Sequence, residues 1–331
     1  MTGEIRDIRD IRGMGDMGDI VVTGVGTVVP ERHGPWFDVT TELGPRGYKY
    51  LPPASQYLLA AARRAVTGGG GLEHVPAHRR GAAVGTNGAL RAYFDDVDRV
   101  VTTGHSDDLS PAGAPYFAIN VLSGRLASDH QIKAFSLTLT SPRVAGFEAV
   151  EIGLRALAAG RADVLIAAAM EHGLPHHAPG LAAEQGAVAM TMEPRALAEE
   201  RGAPILGSCF ARTAFAPPAL MTTSAGRRQL AAQIETAVSR LGTGDVVVRP
   251  VLDDSAVSRA LAGVLAATGL TVRPALTADG GCLAPLLLLA RLFGAAERRP
   301  SLVITATAEG NFAFGGMRPV HSAQPTGSRQ C

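Results

Sequence analysis

Nine short runs of β-branched and aliphatic residues recur along the chain with helical stretches between them, and this alternation limits the possible folds more than any other feature. The runs fall at 20–29, 82–84, 135–140, 164–168, 187–192, 205–210, 246–248, 272–276 and 302–305. Amphipathic or apolar segments with helical patterning lie at 55–65, 145–159, 226–241, 255–267 and 282–293. Strands alternating with helices specify an α/β layered protein. Apolar segments on both sides of the strands call for sheets covered by helices, with one helical layer shared. The series divides near 194–204 into two similar halves, about 19–200 and 201–322, with an N-terminal extension at 1–18 and a polar tail at 323–331.

Charge and cysteine usage then remove whole classes of function. Lys+Arg 31 against Asp+Glu 30 leaves a net charge of +1, and 5% of residues are aromatic, so a nucleic-acid partner is not expected. Cys209, Cys282 and Cys331 have no CxxC spacing, which indicates neither a disulfide framework nor a zinc site. Cys282 opens an apolar helix and reads as a small buried residue. The N-terminal segment lacks the apolar core of a secretory signal. The longest apolar stretch, 283–292, contains Pro285 and falls well short of the ~20 residues that cross a bilayer. No membrane association and a cytoplasmic, reducing location are therefore expected. His176-His177 reads as a surface loop, because adjacent side chains on an extended segment point apart. The Gly68–Gly71 run lacks the Lys-Ser/Thr of a phosphate loop, and Gly24-Val25-Gly26 lacks a third fingerprint glycine. Neither a metal nor a cofactor is expected.

The segment 120–170 concentrates the chemistry: helix, strand, sharp turn, helix, strand. Its turn, Ser141-Pro142-Arg143, follows the strand 135–140 and opens a helix near Val144. A side chain held there stands at the positive end of a helix macrodipole, where an α/β enzyme lowers a thiol pKa.

With these segments in order, the chain resembles the ketosynthase family of thiolase-fold condensing enzymes over most of its length. The run from Ile20 through Gly24 to Pro30 resembles their opening strand, and Asn120 to Gly124 the start of their dimer-interface helix. Gly160-Arg161-Ala162-Asp163-Val164 is similar to their helix end and next strand, and Glu184-Gln185-Gly186-Ala187 to Glu193-Pro194 to the strand that closes their first half. Phe312, Phe314, Gly315 and Gly316 resemble their C-terminal glycine-rich, gate-like loop.

By this resemblance the catalytic cysteine's position is held by Arg143, the first histidine's by Pro250, the lysine's by Pro274 and the second histidine's by Asp279. Claisen condensation needs a thiolate to carry the acyl chain and imidazoles to support decarboxylation and the oxyanion. Arginine is always protonated, and neither proline nor a carboxylate donates as imidazole does. The resemblance therefore implies a chain-length factor, the non-catalytic half of a type II polyketide ketosynthase heterodimer, of the shorter kind associated with reduced, polyene-type chains. It implies a cysteine-bearing ketosynthase partner and, through the complex, an acyl carrier protein. Tyr116, Phe117, Ala118 and Val121 would form the tunnel floor, and Asn120, Leu122, Phe135, Leu137 and Leu139 the interface. Arg143 at a helix N-terminus is unfavourable by about 0.3–1 kcal/mol unless an acid compensates it; by the resemblance Asp279 faces the same pocket and is the candidate partner, the alternative being that Arg143 turns to solvent or reaches across the subunit boundary. The alternative is a thiolase-fold enzyme repurposed for acyl transfer or decarboxylation without condensation.

Overall fold

The computed structural model describes residues 20–30, 36–173, 184–242, 245–278, 280–294 and 299–320. The expected extension and tail, His176, His177, Cys331 and Asp279 lie outside the described residues. The first half runs β1 (Ile20–Val28), α1 (Val39–Leu43), α2 (Pro53–Gly68), β2 (Arg80–Gly85), α3 (Arg91–Thr103), α4 (Val121–Asp129), β3 (Phe135–Leu139), α5 (Ala145–Ala158), β4 (Val164–His172) and β5 (Gln185–Pro194). After α6 (Arg195–Glu200) the second half runs β6 (Gly207–Phe215), α7 (Pro218–Met221), α8 (Ser224–Ser239), β7 (Val247–Leu252), α9 (Ala256–Ala266), β8 (Thr271–Val272), β9 (Leu276–Thr277), α10 (Leu283–Gly294), β10 (Ser301–Ala306) and β11 (Asn311–Pro319).

The two halves repeat one topology. The first orders its strands β3-β2-β4-β5-β1, and the second orders them β7-β10-β11-β6 with β8 and β9 together on the outer side of β7. In each, the outer strands are parallel and the two inner pairings antiparallel. The halves join where β1 meets β6 at Val21↔Ser208 and Val22↔Gly207.

Three apolar cores sort the molecule into layers. One lies between the sheets and draws Phe147, Val150 and Leu154 from α5 together with Leu283, Leu286 and Leu289 from α10. A second packs α2 on the outer face of the first sheet, and a third packs α8 and α9 on the outer face of the second. The shared helical layer is thus α5 with α10, which explains why α10 is apolar nearly all round. Small residues bring the layers together: a Cβ at Gly146 would lie 3.1 Å from both the Cys282 carbonyl oxygen and Leu286 Cβ.

Several expectations are corrected. The segment Phe312 to Gly316 is no loop; it is the interior of β11, paired to β10 on one side and β6 on the other. Its glycines read as a flexible loop, whereas they leave room for rings: a Cβ at Gly315 or Gly316 would meet Phe147 Cε1 at 2.3 Å or Phe210 Cε1 at 2.0 Å. The expected strand 272–276 is two short strands, β8 and β9, around an exposed Pro274. Helix α3 has no counterpart in the expected series; Tyr93, Phe94, Val97, Val100 and Val101 give it a helical apolar stripe, although none of its residues is buried.

Candidate functional site

The chain must reverse between the end of β3 at Leu139 and the start of α5 at Ala145. Arg143 lies in that turn with φ +60°, a left-handed conformation that costs a residue with a Cβ on the order of 1–3 kcal/mol. The turn is held from outside itself: the Arg143 N–H donates to the Gly280 carbonyl at 3.1 Å, ahead of α10. A strained strand-to-helix turn lifts one side chain clear of the sheet at the helix N-terminus, which is the placement a nucleophile requires. Here that side chain is a guanidinium, and the residue is 2% exposed.

The acid facing it comes from the second half. Arg143 Nη2 donates to Asp253 Oδ2 at 3.2 Å, while Asp253 Oδ1 accepts from the Ser255 N–H at 2.9 Å and the Ser258 hydroxyl at 2.6 Å, at the start of α9. Burial works to raise the Asp253 carboxyl, but the Ser255 and Ser258 hydrogen bonds and the Arg143 charge outweigh it and hold it below its ordinary value. A cavity of about 250 Å³ opens beside the pair, bounded also by Asp254, Thr277, Thr307 and Glu309. Among the described residues three carboxylates face one guanidinium there, a balance that disfavours anionic ligands.

Behind the turn, two acids converge on the N-terminus of α10. Glu171, at the end of β4, accepts from the backbone N–H groups of Asn87, Gly88 and Cys282 at 2.8, 2.7 and 2.9 Å. Glu184 accepts from those of Leu283 and Ala284 at 2.8 and 3.1 Å. Burial raises the Glu171 carboxyl against those backbone donors. Burial and the neighbouring Glu171 push Glu184 up to about 8, so it is largely protonated at neutral pH. Burial also pushes Cys209 up to about 12 and Cys282 well above the ordinary thiol value, so neither is a thiolate at neutral pH.

The sequence-predicted positions resolve unevenly. Arg143 stands in the turn as expected. Pro250 does not reach the cavity: it is inside β7, opposite Ile304, where the ladder on the other side breaks between Val248↔Val272 and Val251↔Leu276. A residue without an amide donor fits that break, and the strand delivers Asp253, three residues further on. From the next segment Thr277 and Ala278 line the cavity, not Pro274. Leu122 is 1% exposed in the core under α2 and is unavailable to an interface. Asn120, Ala118 and Leu137 are exposed, Val121, Phe135 and Leu139 half-buried. Tyr116 is half-buried and Phe117 is 58% exposed. Asp253 was legible only as part of an acidic pair closing an apolar strand, the end of an α/β sheet where sites form.

Among the described residues no group of three or more His, Cys, Asp or Glu side chains could hold a metal ion, and no helix is long and apolar enough to cross a membrane. Two repeated halves, a shared pair of central helices and a strained turn at their seam define a thiolase-fold condensing scaffold. A profile of the β-ketoacyl synthase N-terminal domain matches residues 37–211. The chain belongs to the β-ketoacyl synthase family. Comparison with curated proteins gives no match. Among solved structures, a type II polyketide synthase acyl carrier protein in complex with its ketosynthase bound to the hexaketide, AntDE:AntF, is 17% identical with a TM-score of 0.73, over 91% of this chain and 99% of that one. The ishigamide ketosynthase/chain length factor is 20% identical with a TM-score of 0.70, over 92% and 100%. A β-ketoacyl synthase from Burkholderia phymatum STM815 is 14% identical with a TM-score of 0.64, over 92% and 100%. These likenesses establish the fold.

Proposed function

We propose that this chain is a non-catalytic subunit of the chain-length-factor type, which pairs with a cysteine-bearing ketosynthase and shapes the acyl tunnel while carrier-bound polyketide chains are extended. The observation that carries the reading is Arg143. The fold keeps the strained turn that presents a nucleophile, yet fills it with a buried guanidinium tied to Asp253. Condensation there would need a thiolate and imidazole donors, and the cavity offers carboxylates and threonine hydroxyls. A repurposed enzyme would need a nucleophile next to a base, and among the described residues the cavity holds no such pair.

A subunit without its own chemistry acts by contact and shape. The segment from Tyr116 to Val121 supplies exposed aromatic and small side chains and leads into α4, the helix that packs against β3, the edge strand of the first sheet. Tyr116, Phe117, Ala118 and Val121 are assigned to the tunnel floor, and Asn120, Phe135, Leu137 and Leu139 to the partner contact. The carrier protein reaches the tunnel through the catalytic partner. The test is co-expression with a cysteine-bearing ketosynthase from the same genomic neighbourhood, followed by native mass measurement and an extension assay on carrier-bound chains. A one-to-one complex that extends chains when neither subunit alone does so is the expected result. Failure of every neighbouring ketosynthase to associate would remove the reading.

A further inference from the structure

The two halves repeat one topology, yet they are finished differently on the outside. Helices α2 and α4 of the first half correspond in order to α8 and α9 of the second, and each pair packs together on the outer face of its own sheet. Residues 29–52 link β1 to α2, whereas the shorter run 216–223 links β6 to α8. The longer link lies across α2 and its seam with α4. Leu43 is buried there, and its carbonyl accepts from Arg63 at 2.8 Å. Arg64 donates to both oxygens of Glu42 at 2.6 and 2.8 Å. The Tyr48 ring lies between the guanidiniums of Arg63 from α2 and Arg125 from α4, each 4.9 Å from its centroid, and its hydroxyl donates to Asp129 at the end of α4 at 2.9 Å.

The shorter link folds into α7, which packs on α8 and α9 but does not line the groove left between them. That groove has a volume of about 720 Å³. Ala231, Val238 and Leu270 line it from the edge of the third core, and at Gly263 a Cβ would meet nothing within 4 Å. Arg227 and Arg228 stand side by side on α8, as Arg63 and Arg64 do on α2, and they line the groove together with Glu235. Among the described residues none of these three charges has an ion-pair partner. Two adjacent arginines, one carboxylate and an apolar floor are the groups, short of Arg125, that the first half covers with Leu43, Glu42 and Tyr48. The second half presents the same set uncovered.

We infer that the α8–α9 groove docks a segment of another protein that carries an aliphatic side chain, a tyrosine and a carboxylate, the equivalent of what residues 38–51 supply to the first half. The aliphatic side chain lies on the apolar floor, the ring stacks on one guanidinium with its hydroxyl donating to Glu235, and the carboxylate accepts from the other guanidinium. The groove shares no residue with the cavity beside Arg143 or with the segments assigned to the tunnel and to the ketosynthase contact, so the inference does not rest on that reading.

The probe is a fluorescein-labelled peptide with the sequence of residues 38–51, titrated with the purified full chain and read by anisotropy, with circular dichroism to confirm that each variant is folded. The expected result is saturable binding with a Kd of about 0.1 mM or tighter. Arg227→Glu with Arg228→Glu should weaken it by about tenfold or more, and acidic residues near the start of α8 suit the helix dipole, so the fold is kept. A peptide with Glu42→Lys should bind the wild-type chain weakly and regain affinity for the charge-reversed chain. Gly263→Leu is the second variant: it fills the groove without touching either arginine and should also weaken binding by about tenfold or more. Absence of saturable binding up to about 1 mM overturns the inference. So does binding indifferent to both changes in the chain, which would place the peptide elsewhere, on α2 for instance, and so does a charge-reversed pair that fails to recover.

Discussion

The guanidinium of Arg143 and the carboxylate of Asp253 meet at 3.2 Å across the seam between the two halves, one from the turn before α5 and the other from the end of β7. Each sits where a strand of its own half leaves the sheet for the following helix, so the pair ties the two halves together. The Arg143 residue is almost wholly buried and the Asp253 side chain 24% exposed, so the charges are largely removed from water and depend on each other and on the Ser255 and Ser258 donors.

Removing the carboxylate alone exposes that dependence. Asp253→Asn keeps the shape and takes the charge from Arg143, with an expected loss of about 1–3 kcal/mol in urea unfolding at pH 7. The folded Asp253 pKa is depressed below its ordinary value of 3.8, so its stabilisation is complete above that value and disappears as pH falls through the lower folded value. The gap between wild type and Asp253→Asn should therefore be constant from pH 5 to 7 and close below pH ~4. A gap that persists undiminished in acid would contradict the pairing.

Restoring sulfur without its surroundings should not restore condensation. Arg143→Cys returns a thiol to the left-handed turn, but the facing acids then disfavour the thiolate and no imidazole is within the cavity among the described residues. Expected are a stability loss comparable to that of Asp253→Asn and no chain extension by the isolated protein. Extension above background by Arg143→Cys alone would show that the cavity retains a working catalytic environment.

Glu184 offers a titration of opposite sign. Its pKa is raised from 4.5 to about 8, so the folded state holds a proton there that the unfolded chain has released. Stability from this group is thus greatest below pH 4.5, falls as pH rises from 4.5 to about 8, and is level above that. Glu184→Gln cannot ionise and keeps an acceptor for Leu283 and Ala284. The substituted chain should match wild type most closely near pH 5 and exceed its urea midpoint increasingly up to pH ~8. Parallel midpoints across that range would remove the assignment.

The parts of the molecule that were legible in the chain are those whose residues bury a face. The strand runs, α2, α5 and α10 all show the periodicity that burial imposes, and the Ser141-Pro142-Arg143 turn announces itself between two of them. Helix α3 carries a helical pattern too, with Tyr93, Phe94, Val97, Val100 and Val101 along one face, yet it was not among the expected helices, and none of its residues is buried within the chain. Asp253 escaped because a strand's pattern does not say at which residue it leaves the sheet, and Pro250 in the middle of β7 suggested an earlier end. Proline is tolerated there because the neighbouring ladder is itself broken, a tertiary circumstance that no local rule contains. Gly315 and Gly316 misled in the opposite direction, their flexibility suggesting a loop where two rings needed room.

That last point is open to measurement. Gly315→Ala places a Cβ against the Phe147 ring inside the central core, where overpacking costs about 1–3 kcal/mol. Phe147→Leu removes the ring edge and leaves a partly filled space. The two substitutions should couple in a double-mutant cycle, the pair being less destabilised than the sum. Strict additivity would show that the glycine serves some need other than the ring.

Phe117 separates a tunnel role from simple packing. A buried aromatic cut to alanine costs about 3–5 kcal/mol, so changed product length from such a variant could be blamed on a damaged fold. Phe117 is 58% exposed and meets the rings of Tyr93 and Phe94 from the edge of the cluster, so Phe117→Ala should shift the unfolding midpoint little, within about 0.5 kcal/mol. In complex with the catalytic ketosynthase the same substitution should lengthen the extended chains, since the bulk that stops them is gone. Tyr116→Ala should lengthen them too but at a stability cost, because Tyr116 is half-buried and its hydroxyl donates to the Tyr50 carbonyl at 3.3 Å. Mass spectrometry of the carrier-bound products, read beside the unfolding curves, distinguishes the two roles. Unchanged chain length in both variants would remove these residues from the tunnel floor.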